Sequence, residues 1–151
     1  MKVRTAAVGI SIAVLALFEG YRQIDYSDPV GIPTACFGHT ETASLGTQRD
    51  LAGCENLLIN DVRERQTIVL KYAKVPLNDN QLAALTSFVY NVGEGAYRDS
   101  TLLKKLNAGD YEGACKELSR WVFADGQKLR GLERRRAQEM KLCLSPPLFG
   151  P

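Results

Sequence analysis

Three side chains near the start of the chain have types and spacing suited to acid–base chemistry. Glu19, Asp28 and Thr34 lie in the stretch FEGYRQIDYSDPVGIPTACFGHT, with eight residues between the first two and five between the last two. Glu19 closes an apolar run, where burial makes a carboxyl hold its proton more tightly. Asp28 stands in a polar turn rich in Gly and Pro, where a carboxylate stays ionised. An acid and an ionised partner carboxylate are the division of labour that cleavage of a glycosidic bond requires. Each residue alone also has a plainer reading. Glu19 is a carboxylate poorly matched to the dipole of a helix end, Asp28 begins a turn before Pro29, and Thr34 is an ordinary strand threonine.

Positioning this set requires a helix end to meet a turn-rich loop. Residues 1–18 combine Lys2 and Arg4 with an uncharged run from Thr5 to Phe18. Three readings of that run compete. A cleaved signal peptide has its basic start and a passable Val14-x-Ala16 site, but cleavage there strips Glu19 of its helix. A permanent anchor is too short, since 14 residues reach about 21 Å against a hydrocarbon core of about 30 Å. A marginal anchor that first inserts and later leaves the bilayer, or a plain buried helix, leaves Glu19 attached to its helix. In the marginal-anchor case Lys2 and Arg4 stay cytoplasmic and the rest faces the periplasm. Drawing Glu19 into the span would cost up to about 2.5–3.5 kcal/mol, so the hold is light.

From Tyr26 to about Thr47, turn residues alternate with short apolar positions, as in a small irregular antiparallel sheet. Thr47 reads as an N-cap with Asp50 completing an acidic capping box. A long helix then runs to about Tyr72, with Leu51, Leu58, Val62, Ile68 and Val69 facing inward. Asn78 caps a helix through Asn91 that Gly93 stops. Ser100 starts a short helix ending near Gly109, and Asp110 caps another reaching Val122, broken by Gly126. A basic helix spans about Leu132 to Leu142, and the tail SPPLFGP is irregular. The expected architecture is α+β: a small antiparallel β lobe and a larger helical lobe joined by a long helix.

A chain of 151 residues with net charge +2 suits one compact domain and argues for no particular polyanion. The basic residues cluster late, at Lys128, Arg130, Arg134, Arg135, Arg136 and Lys141. They read as a solvated face with structural pairs, or as a hold on an anionic wall polymer. Cys36, Cys54, Cys115 and Cys143 lack metal-site spacing, and one histidine is too few to complete a soft site. The expected pairs are Cys36–Cys54 and Cys115–Cys143, although three connectivities are open and buried free thiols are the alternative. Disulfides point to the periplasm or outside.

The pattern Glu-x8-Asp-x5-Thr, followed by Gly38-His39-Thr40, resembles the active-site segment of the phage-type lysozymes, the muralytic endolysins. QLAALTSFVYNVG (Gln81 to Gly93) and WVFADGQKLRGLERRRAQE (Trp121 to Glu139) carry the resemblance on, to about residue 143. It implies a lysozyme-like fold and inverting hydrolysis of the β-1,4 bond between N-acetylmuramic acid and N-acetylglucosamine. Glu19 is then the acid, Asp28 the partner carboxylate, and Thr34 the hydroxyl that holds the water. Thr40, Tyr90 and Asn91 fall where the family binds saccharide, and His39 pairs with Asp61. Peptidoglycan is the implied partner, with no metal, no cofactor and no nucleic acid, acting as a monomer.

The opening run is similar to the signal-arrest-release segments of some members. That divides the chain into a segment 1–18, which first enters the host inner membrane and then leaves it, and a catalytic domain 19–151 that acts in the periplasm. A lytic transglycosylase and an inactive wall-binding module are the competing readings.

Overall fold

The computed structural model describes residues 4–19, 22–27, 33–36, 39, 41–48 and 50–147. For Glu19, and for the paired strands other than Thr34, the description is of the backbone alone. Helix α1 (Thr5–Glu19) is followed by the antiparallel pair β1 (Arg22–Ser27) and β2 (Pro33–Cys36). Five helices then precede a small hairpin: α2 (Leu51–Tyr72), α3 (Asp79–Val92), α4 (Glu94–Arg98), α5 (Thr101–Asn107) and α6 (Tyr111–Glu117). The hairpin is β3 (Phe123–Ala124) with β4 (Gln127–Lys128), and α7 (Arg130–Leu144) closes the fold. The α+β class with one long helix beside a small sheet is as the sequence implies.

Helix α3 is the centre. Its Leu82, Ala83, Ala84, Leu85, Phe88 and Val89 are all buried, so it presents apolar surface nearly all round rather than along one stripe. Helices α1, α2 and α7 pack on it from different sides. Its ends are fixed locally. Asn78 Oδ1 accepts from Gln81 N–H at 2.8 Å, Gln81 Oε1 accepts from Asn78 N–H at 2.9 Å, and Gly93 leaves the helix at φ +89°. A second cluster of Val8, Leu15, Leu58 and Val62, flanked by Ile12 and Tyr90, joins α1 to α2. The Cys115–Cys143 disulfide ties α6 to α7 across 28 residues. A loop of that size contributes roughly 3.5 kcal/mol in the loop-entropy model. Cys54 is also disulfide-bonded, while the side chain of Cys36 lies outside the described residues.

Several local expectations are corrected. Asp50, not Thr47, is the N-cap of α2, because its Oδ1 takes the Gly53 N–H at 2.7 Å. Leu51, the first helical residue, faces water at 51% exposure rather than the core. Helix α6 ends at Glu117 and tightens into a 3-10 turn, Leu118–Arg120, instead of reaching Val122. Asp125 and Gly126 do not break a helix. With φ of 50° and 74° they form the two-residue turn of the β3–β4 hairpin. Helix α7 starts at Arg130, before Gly131. Among the described residues no helix is long and apolar enough to cross a membrane.

Candidate active site

Each of the three candidate chemical residues is carried by a different piece of the early chain. Glu19 is the last residue of α1, and its side chain lies outside the described residues. Asp28 lies outside them altogether, between β1 and β2 in sequence. Thr34 sits on β2 opposite Tyr26 of β1 and is buried. The pairing is irregular between Arg22 and Tyr26, a feature common where a strand re-aims side chains.

The seat of α1 is well defined. Ala7, Val8, Ser11 and Leu15 recur at helical spacing and are buried against α3 and α2. At its last turn, the ring of Phe18 lies 5.0 Å from the guanidinium carbon of Arg135. The backbone of Glu19 is therefore held beside a buried part of α7.

That part of α7 is enclosed by the fold and not a solvated face, and its charges form structural pairs. Arg135, Arg136 and Glu139 are 5%, 1% and 0% exposed. The Glu139 carboxylate accepts from Arg135 Nε at 3.2 Å, from Arg136 Nη1, and from Ser87 Oγ of α3 at 2.7 Å. Arg135 Nη2 donates to the Ser87 carbonyl at 3.2 Å, and Arg136 Nε to the Trp121 carbonyl at 3.0 Å. Burial pulls the Arg136 guanidinium below its ordinary pKa, and the Glu139 charge opposes the pull. Only the RRxxE spacing, which allows i,i+3 and i,i+4 pairs on one face, hinted at this in the sequence.

Asn91 is exposed at the end of α3, and its Oδ1 accepts from Arg136 Nη2. A guanidinium only donates, so the amide oxygen faces inward and its NH2 is turned the other way. Tyr90 is half-buried against the α1–α2 cluster, with the Arg65 guanidinium carbon 5.6 Å from its ring centre. Trp121 meets Phe88 edge-on at 5.2 Å and packs on the main core. Thr40 lies outside the described residues.

His39 and Asp61 are both buried, with His39 Nδ1 2.7 Å from Asp61 Oδ2. The Thr42 backbone N–H donates to His39 Nε2 at 3.1 Å, and the Thr42 hydroxyl is 2.8 Å from the same nitrogen. Nε2 is thus an acceptor, which assigns the proton to Nδ1 and makes it a donor to Asp61. Both ring nitrogens are occupied, as suits a structural pair. Burial raises the Asp61 carboxyl above its ordinary pKa, against the opposing hydrogen bond from His39. Carboxylate oxygens of Glu41, Asp61 and Glu64 lie within 4.8 Å of one another. Arg65 already bonds both glutamates, at 3.1 and 3.0 Å, and His39 holds Asp61.

A helical body built on α3, a small antiparallel sheet that follows α1 in the chain, and a buried Arg–Glu–Arg cluster define a lysozyme-like protein. The family model for phage lysozyme matches residues 16–139, and the chain belongs to that family. It is 43% identical over 127 residues to the SAR-endolysin of Enterobacteria phage PA-2, covering 83% of this chain and 77% of that one. Over 147 residues it is 39% identical to the SAR-endolysin of Pseudomonas phage phiKMV, covering 95% and 91%. Among solved structures, the muramidase domain of SpmX from Asticaccaulis excentricus superimposes with a TM-score of 0.84 at 32% identity, covering 96% of this chain and 99% of that one.

Proposed function

We propose that the chain is an endolysin that hydrolyses the β-1,4 bond between N-acetylmuramic acid and N-acetylglucosamine in bacterial peptidoglycan. The observation that carries this is the family match over residues 16–139, a span that contains Glu19, Asp28 and Thr34 at their spacing. In this reading Glu19, at the end of α1, protonates the leaving oxygen. Asp28 takes the proton of the attacking water, and Thr34 holds that water through its hydroxyl. The reaction inverts the anomeric centre, because water rather than a side chain attacks. The locked His39–Asp61 pair supports the division of roles, since both nitrogens of the only histidine are already engaged. Asn91, Tyr90 and Thr40 are the proposed saccharide contacts.

We further propose that residues 1–18 insert in the host inner membrane with Lys2 and Arg4 cytoplasmic, and that the chain then enters the periplasm as a monomer. The relatives bear the name SAR-endolysin. The short α1, rich in small residues, docks on the body in the folded state described above. Activity is gated because Glu19 reaches its place only when α1 docks. The test of activity is release of reducing ends from purified cell walls. Wild-type protein should produce them, and Glu19→Gln should fold, bind walls and lose at least about 100-fold in turnover. Equal turnover in the two would refute the assignment, and anhydro ends would mark a transglycosylase instead.

A further inference from the structure

We infer that Arg4 is a latch for α1, and that Gln66, the Leu77 carbonyl and Asp79 form a docking site for this N-terminal segment. The inference rests on the proposed membrane release.

A helix that exchanges lipid for a protein surface needs contacts that differ between the two states; otherwise nothing favours either. The buried face of α1 supplies little of this difference. Ala7, Val8 and Leu15 are as well placed among lipid tails as in a protein core. The Ser11 hydroxyl, fully buried, donates to the Ala7 carbonyl of its own helix at 2.8 Å, a bond that travels with the helix.

Arg4 is different. Its backbone N–H donates to Gln66 Oε1 at 2.7 Å, and its carbonyl accepts from Gln66 Nε2 at 3.3 Å. Gln66 is 0% exposed and commits both ends of its amide to this one residue. The guanidinium donates to the Leu77 carbonyl and contacts the Asp79 carboxylate at the first turn of α3. That last approach lies off the donor direction, so it is an ion pair rather than an aligned hydrogen bond. Three groups from α2, the loop before α3 and α3 itself thus converge on one residue just outside the apolar run. None of these contacts exists while the segment is in lipid. Docking of Arg4 therefore favours the released state and fixes the depth at which α1, and Glu19 at its far end, come to rest.

The test places its main changes outside the inserting segment, so that insertion itself is not altered. Full-length wild type, Asp79→Asn, Gln66→Leu and Arg4→Lys are expressed in bacteria, and membrane and soluble periplasmic pools are measured over time. Asp79→Glu serves as the conservative rescue. Asp79→Asn should lower the soluble-to-membrane ratio about 3-fold, as loss of a partly exposed pair implies. Gln66→Leu should lower it about 10-fold through two lost hydrogen bonds, and Asp79→Glu should restore it. Arg4→Lys keeps the topogenic charge, should lower the ratio about 3-fold, and reads the latch even if a change in the body impairs folding. Ratios equal to wild type in all variants would overturn the latch and leave release standing. A wild type that never populates the membrane pool would overturn both.

Discussion

Gly9→Leu separates membrane retention from every effect on the folded protein. A Cβ at Gly9 would meet nothing within 4 Å, and the residue is exposed on the outer side of α1. A leucine there therefore stands in water when α1 is docked, without a clash and without burial. In lipid the same side chain is fully solvated by apolar chains. Its four carbons, at about 0.8 kcal/mol each, favour the inserted state by roughly 3 kcal/mol, which is about 150-fold in the ratio of inserted to released protein. The gain in helix propensity over glycine, about 1 kcal/mol, applies in both states and cancels. Lysis timing and pool fractionation in a sensitive host are the assay. Lysis should be strongly delayed, the soluble pool should nearly vanish, and Gly9→Ala should fall between at about 4-fold. Ser11→Leu should retain the protein too, but it also overpacks a fully buried position, so only Gly9→Leu reads the membrane alone. A Gly9→Leu chain that lyses as fast as wild type, with the same soluble pool, would refute the gating argument.

Two further outcomes follow from the buried charges. Glu139→Ala leaves Arg135 and Arg136 without their shared anion and should cost about 3–5 kcal/mol by chemical denaturation; a loss under 1 kcal/mol would show that the cluster is not held as described. Burial raises the folded-state pKa of Asp61 above 3.8, so its contribution to stability is fully present below that pH and declines as pH rises through the raised value. The stability of wild type relative to Asp61→Asn should accordingly fall as pH rises above 3.8 in denaturation series, and a difference that grows with pH would contradict this.

What the sequence made legible was mostly local. The boundaries of α3 followed from Asn78 and Gly93, each a residue whose cap chemistry has few alternatives. Thr47 and Asp50 are both good cap residues by type, and the start of α2 falls at Asp50 only because Asp50 takes the Gly53 N–H. The β3–β4 hairpin escaped because strands of two residues have no periodicity to read, though Asp125-Gly126 was a usable turn signal. The basic end of the chain looked solvated because charge alone does not reveal burial. Arg135 and Arg136 are enclosed only because Glu139 and Ser87 meet them from two helices. At the site, the spacing marks Glu19, Asp28 and Thr34 as candidates, while the tautomer of His39 depends on Thr42, a contact no motif records.

In the proposed reaction an acid at the end of α1 and a base between β1 and β2 in sequence divide the chemistry between them. The most direct measurement is the anomeric configuration of the newly formed reducing end, followed by proton NMR before mutarotation, on wall glycan cleaved by the full-length protein. The α anomer is the expected first product from the β-linked substrate. A first product that retains the β configuration, or one that carries no reducing end, would contradict it.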